Sequence, residues 1–272
     1  MIRETNALTQ RELKHWYRSK IQIFVALIQP IVWLGLFGQA FNLGNLGLPP
    51  SAIEAAFGTS SYFSYMAIGM LAVIVLFTCM FGGMSIVWDR RFGFLNKLRA
   101  APIPRSSIAI SRIFATTVRA MIQMVIVFII ALLFAYVPGL VGLSVNASFS
   151  IFDLIGIMIA MFLLAIMFSS MFTAIALKVE NQETLFAIVN LLNLPLMFAS
   201  AALFPTTAMP TWLQDVARYN PLTLAVDSSR QFAFHSSVYT YPWAADLIGL
   251  AIIAGLFLLL AIWVAKRTMS AR

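Results

Sequence analysis

The sequence predicts an all-α integral membrane protein with six transmembrane helices, and three observations carry that prediction. Six apolar stretches are each long enough to cross a bilayer, basic residues gather in blocks beside alternate connections, and the other connections carry turn-forming residues. Composition agrees: 61% of the 272 residues are hydrophobic and 10% are charged, against roughly 45–50% and about 25% in soluble domains. A single cysteine, Cys79, lies inside an apolar run, and His15 and His235 are far apart, so neither a disulfide framework nor a metal site is expected.

The N-terminal segment, residues 1–20, comes first. Thr9-Gln-Arg-Glu12 has the form of a capping box, in which hydroxyl and carboxylate reciprocally satisfy free backbone N–H groups, so a helix is predicted to start there. At about 100° per residue, Arg11, Lys14 and Arg18 fall on one face and Leu13, Trp16 and Tyr17 on the opposite one. That pattern suits a helix lying at the headgroup level; a plain basic anchor is the alternative. A span takes about 20 residues at a rise of about 1.5 Å each, which assigns six spans to 21–41, 62–88, 107–137, 151–177, 184–204 and 243–265. The first follows a charged N-terminus with no small-residue cleavage site and is expected to remain as an anchor. No internal repeat is evident, which lowers the weight of inverted-repeat transporter folds.

The charges orient these spans. Arg3, Arg11, Lys14, Arg18 and Lys20 precede the first span, and Arg90, Arg91, Lys97, Arg99, Arg105, Arg112 and Arg119 surround the second connection. With Lys178, Lys266, Arg267 and Arg272 they put sixteen of the eighteen basic residues on one side, leaving Arg218 and Arg230 on the other. The positive-inside rule makes the rich side cytoplasmic, with both termini inside a multi-pass protein of the cell membrane. The net charge of +8 is thus accounted for by topology and lipid headgroups rather than by nucleic acid.

Two connections are more than linkers. In the cytosolic loop 89–105, Phe94, Leu95, Leu98 and Ala101 lie within about a third of a helical wheel, with Arg90, Asn96, Lys97 and Arg99 mostly on the rest, and Pro102 and Pro104 stop the helix. Attraction to anionic headgroups explains the charge but not the aromatic ridge or the prolines. In the external segment 205–242, Thr211-Trp-Leu-Gln214 resembles another capping box, Asn220-Pro221 breaks the first short helix, and Asp227 and Arg230 can pair at i, i+3 in a second. A hairpin of short re-entrant helices is predicted, with a surface loop as the alternative.

Together these residues resemble the type-2 ABC export permeases, and within them the daunorubicin-resistance-type branch that includes nodulation-factor export permeases. The resemblance is carried by Asp89-Arg-Arg-Phe-Gly-Phe-Leu95 with Ala101-Pro-Ile-Pro-Arg105, and by Trp212-Leu-Gln-Asp-Val-Ala-Arg-Tyr-Asn-Pro-Leu-Thr223, and it extends over essentially the whole chain. It implies a single permease domain over 1–272 in which the loop 89–105 is a coupling helix docking in a groove of a separate ATP-binding subunit. Asp89, Arg90, Arg91, Phe92, Phe94, Leu95, Leu98, Arg99 and Pro102 would carry that contact. Arg99 departs from the family, which often has an apolar residue there. The resemblance further implies two ATP-binding subunits and a second permease chain, as a homodimer or related heterodimer, with spans one, two and five nearest the shared pathway. The chain itself contains no Gly-x4-Gly-Lys-Ser/Thr loop, so it is expected not to be an enzyme; ATP and magnesium belong to the partner.

The polar residues inside the spans admit two readings. Asn190 and Asn193, followed by Pro195, and Gln22 and Gln29, followed by Pro30, either line a pathway or hydrogen-bond between helices, worth about 0.6–2 kcal/mol. Arg119 would cost about 2.5–3.5 kcal/mol at the bilayer centre, so it either snorkels to the cytosolic interface or contacts the pathway or a subunit. A proton-coupled secondary transporter would need buried carboxylates, whereas Asp153, Glu183 and Asp246 fall at predicted span ends. A channel-like protein not driven by ATP is the other alternative. The expected cargo is amphiphilic or hydrophobic: a drug, a lipid or a lipid-linked glycan.

Overall fold

The computed structural model describes residues 2–40, 49–93, 104–236, 238 and 241–270, and among these every regular element is helical. In chain order they are α1 (Ile2–Arg18), α2 (Lys20–Ala40), α3 (Pro50–Phe57), α4 (Tyr62–Arg91), α5 (Arg105–Leu133), α6 (Ile151–Lys178), α7 (Gln182–Phe198), α8 (Thr211–Arg218), α9 (Pro221–Phe234) and α10 (Trp243–Ser270). Single 3-10 turns occupy Phe134–Tyr136 and Thr206–Ala208. Five helices, α2, α4, α5, α6 and α10, are long and apolar enough to cross a membrane. The remaining apolar run, the fifth in chain order, gives a helix of 17 residues, about 26 Å long against a hydrocarbon core of about 30 Å.

The axis of the bundle is α4. It is apolar around its whole circumference, and such a helix belongs in the interior; almost every residue from Phe63 to Val87 is buried. Helices α2, α5, α6, α7 and α9 all pack on it, and α10 closes the far side by packing on α6 and α9. The start of α6 is fixed by a capping box in which Ser150 and Asp153 satisfy one another's backbone N–H groups. His235, the left-handed C-cap of α9, lies with Nε2 3.1 Å from Asp153 Oδ1, fastening the end of α9 to the start of α6.

Small residues let neighbours approach the axis. A Cβ on Gly69 would lie 1.8 Å from the carbonyl oxygen of Ala202, a backbone atom that cannot swing aside. Gly69→Ala is therefore expected to lower the melting temperature of the purified protein in detergent, at a cost of about 1–3 kcal/mol or more. Gly35→Ala, with nothing within 4 Å of the added carbon, is the control and should leave it unchanged.

Three sequence expectations are corrected. First, α1 begins at Ile2 rather than at Thr9; Thr9 sits in mid-helix, with its hydroxyl donating to Thr5 O at 2.8 Å. Its buried face runs through Thr9, Glu12 and Trp16, while Tyr17 is 75% exposed, so the side facing α5 carries a carboxylate and is not purely apolar. Second, Thr211 is the first residue of α8 and caps nothing: Pro210 precedes it without a side-chain cap, and Gln214 Nε2 reaches Met209 O instead. Third, the helix assigned to 184–204 stops at Phe198. Three residues after Pro195 the chain turns, and Asn220 takes up the freed carbonyls, its Nδ2 donating to Leu196 O at 2.8 Å and Ala199 O at 2.7 Å.

Candidate functional site

At one end of the bundle, where α4 ends and α5 begins, four helices converge on a set of charges. Glu12 of α1 is 8% exposed. Its Oε2 accepts from Arg112 Nη1 at 2.6 Å and from Arg119 Nη2 at 3.3 Å, both on α5, while Oε1 accepts from Arg11 at 3.1 Å. Arg112 and Arg119 are two turns apart and share one face of α5, which is why one carboxylate can serve both. Arg119 also donates to Glu12 O at 3.2 Å. The sequence left Arg119 between snorkelling and a pathway or subunit contact; its partner is within the chain, on α1.

The same cluster reaches the last turn of α4. Arg112 Nη2 pairs with Asp89, and its Nη1 donates to Ser85 Oγ at 3.0 Å. Next to Asp89, Arg90 donates to Val179 O at 2.7 Å and Leu177 O at 2.8 Å, satisfying carbonyls at the C-terminus of α6, where a cation is favoured by the helix dipole. The end of α4 is thus bolted to α5, to α1 through the shared arginine, and to α6. Taking these charges out of water is costly, and removing one partner costs more than the pair gains, so the four helix ends are committed to one arrangement.

Immediately beyond, Phe92 is 80% exposed, Arg91 is exposed, and Gly93 adopts φ +71°, a left-handed conformation open to glycine without penalty. Asp89, Arg90 and Arg91 are therefore the final turn of α4 rather than part of a separate helix. Phe94, Leu95, Leu98, Arg99 and Pro102 lie outside the described residues, and the chain resumes at Pro104, which caps α5. On α1, Arg11, Lys14, Tyr17 and Arg18 are exposed and Trp16 is buried.

The residues proposed for a pathway divide. Gln29 stands in a cleft between α2, α4 and the chain following α7, with Trp33, Met70, Phe77 and Met197 as its apolar walls. Asn193 is not in that cleft: it is 4% exposed and its Nδ2 points at Met80 Sδ on α4 at 3.5 Å. Asn190 is half-buried, and the side chain of Gln22 lies outside the described residues. Helices α2 and α7 flank the cleft and turn apolar side chains outward, among them Phe24, Leu36, Leu191 and Leu194.

At the opposite end of α4, the hub is an arginine that the sequence assigned to the external segment as a partner of Asp227. Arg230 is fully buried in α9. Its Nη1 donates to Ala201 O at 2.7 Å; Nη2 donates to Tyr65 O at 2.9 Å and Ala202 O at 3.1 Å. The guanidinium carbon lies 3.3 Å from the centre of the Tyr65 ring. The i, i+3 partner Asp227 is present, with Oδ1 3.7 Å from Nη1. Burial pushes the Asp227 carboxyl up to about 6, with Arg230 acting against it. Sequence reasoning found the pair but missed the carbonyl cage, because two of its acceptors, Ala201 O and Ala202 O, come from backbone that turns only once α7 has ended, and the third, Tyr65 O, is in the first turn of α4.

An all-helical bundle with membrane-crossing helices, a charged base and an apolar cleft is the build of a membrane transport subunit. The chain belongs to the ABC-2 type transporter family, which it matches over residues 3–234. It is similar to the putative transport permease ycf38 of Porphyra purpurea, with 31% identity over 265 residues covering 95% of this chain and 85% of that one. It is also similar to the probable doxorubicin resistance ABC transporter permease protein DrrC of Mycobacterium tuberculosis, at 26% identity over 87% of this chain and 79% of the relative. A third relative is the daunorubicin resistance ABC transporter permease protein DrrB1 of Streptomyces coeruleorubidus, at 22% identity over 87% and 75%. The chain is thus a membrane subunit of the ABC exporter kind.

Proposed function

We propose that this chain is the permease of an ATP-driven exporter that moves an amphiphilic or hydrophobic substrate out of the cytoplasm or the inner leaflet. Two copies of a separate ATP-binding subunit, which holds ATP and magnesium, dock on the segment 89–105. Two permease chains, identical or closely related, face one another across α2 and α7, with both termini cytoplasmic and α7 as a sixth, short crossing. The observation that carries this reading is the base of α4. The segment that would receive the ATPase joins a helix end pinned at once to α1, α5 and α6, so movement of that segment must move four helices together.

The substrate class is supported by the apolar cleft containing Gln29, whose walls mix aromatic and methionine side chains with one polar group, and by relatives named for resistance to doxorubicin and daunorubicin. Phe94→Asp and Leu98→Asp test the docking. Each is expected to abolish co-purification of the ATP-binding subunit and ATP-dependent efflux, while the permease stays in the membrane fraction at normal abundance. Retained co-purification and normal efflux in the double variant would remove the segment from the coupling role.

A further inference from the structure

At the end of the bundle remote from the charged knot, the carboxylate of Asp227 accepts no hydrogen bond from any of the described residues. Asp227 is 5% exposed. Its only basic neighbour among the described residues, Arg230, stands 3.7 Å away, beyond hydrogen-bond reach. Arg230 cannot move closer without giving up the carbonyls of Tyr65, Ala201 and Ala202 that its other N–H groups hold. Carboxylates in protein interiors are ordinarily satisfied by donors, and this one can receive them from the pocket that it lines.

The place for one is present. Asp227 lines a pocket together with Tyr65, Thr206 and Thr207, and Ala56, Ala201, Pro205 and Val238 supply its apolar wall. Thr207 is exposed and Thr206 half-buried, so the pocket opens at the surface. Neither threonine hydroxyl is engaged in a hydrogen bond among the described residues, so both are available as acceptors.

We propose that this pocket binds a primary ammonium group, with the N–H donors directed to Asp227 and the threonine hydroxyls and a short alkyl stem against Ala56 and Pro205. The mixed wall favours an alkylammonium over a bare alkali cation, which requires a shell of oxygens on all sides. The same ammonium chemistry is offered by a soluble amine and by a phosphatidylethanolamine headgroup. The site stands on the geometry around Asp227 and is independent of the coupling mechanism, since it needs no ATP-binding subunit.

The test uses the full-length permease in phosphatidylglycerol nanodiscs at about pH 8, where an acid titrating near 6 is ionised. Saturation-transfer NMR with n-butylammonium is expected to show saturable binding. That binding should weaken about tenfold in Asp227→Asn, the loss of one charge-assisted hydrogen bond. n-Butyltrimethylammonium, with the same charge but no N–H, should bind about tenfold more weakly to the unmodified protein for the same reason. The Thr206→Val, Thr207→Val double variant leaves the Arg230 cage intact and should also weaken binding, so the site remains testable if Asp227→Asn does not fold. Including phosphatidylethanolamine in the nanodisc identifies the source: competition with the probe assigns the site to the lipid headgroup, and its absence to a soluble amine. The assignment is overturned by no saturable binding, by equal binding of n-butanol, by displacement with sodium at matched ionic strength, or by unchanged affinity in both variants.

Discussion

Glu12→Ala is expected to release α1 from the bundle and to destabilise the protein by about 3–5 kcal/mol, the cost of breaking a buried ion pair by removing one partner. The magnitude follows from what remains. Arg112 is 6% and Arg119 8% exposed, and without the shared carboxylate both guanidiniums keep their charge in a site that no longer answers it. Arg112 retains Asp89 and Ser85, but Arg119 has no other side-chain partner among the described residues. Two measurements check this: a lower melting temperature in detergent, and faster tryptic cleavage after Arg11 and Lys14, whose side chains are already exposed but whose helical backbone is opened to the protease once α1 lifts. Glu12→Gln keeps an acceptor and loses the charge, so it should fall between the two. If the proposed function holds and exporter activity is assayed with an ATP-binding subunit present, ATP hydrolysis should persist while transport falls, because on that proposal the knot passes on motion and the nucleotide is held by the partner. An unchanged melting temperature in Glu12→Ala would show that α1 is held by Trp16 packing alone.

Arg230→Met is expected to have the largest effect of any single substitution at the other end. It conserves length and apolar stem but takes the guanidinium donors from the carbonyls of Tyr65, Ala201 and Ala202, of which Ala201 O keeps the Tyr65 hydroxyl at 3.0 Å, and it leaves Asp227 without its counter-charge. Each unsatisfied buried group costs about 1–3 kcal/mol, which is enough to exceed the margin of a protein with only about 5–15 kcal/mol of net stability. The expected result is loss of monodisperse protein on size exclusion. Arg230→Lys keeps the charge but offers an ammonium where a planar fork spans three acceptors, so partial recovery is expected and full recovery would mean the fork geometry is unimportant.

Much of this architecture is legible in the sequence because apolar length and charge asymmetry act locally. The five long spans fall close to where hydropathy puts them, Pro104 starts α5, and Asn220-Pro221 separates α8 from α9. What could not be read is where a polar residue's partner lies when that partner is a hundred residues away. Thr9 and Glu12 have the spacing of a capping box, but Glu12 is claimed by arginines on α5, and the helix then runs past it in both directions. Arg119 looked like an intramembrane charge with nothing to meet, since a helical wheel of its own span contains no acid. The cage around Arg230 depends on α7 ending early, a consequence of Pro195 and Asn220 acting together across a turn. Glycine spacing gave no hint that Gly69 meets Ala202.

Only Ser19 separates α1 from α2, and α2 is the least enclosed of the long helices, with 17% of its apolar window buried. The pair is nevertheless fixed at both ends: the base is clamped through Glu12, and the far end of α2 is clipped by Gln39, whose Nε2 donates to Val141 O at 2.7 Å and whose Oε1 accepts from Val141 N at 2.9 Å. The cleft holding Gln29 and Trp33 lies along the stretch between these two fixed points, so one of its walls is a beam supported at each end.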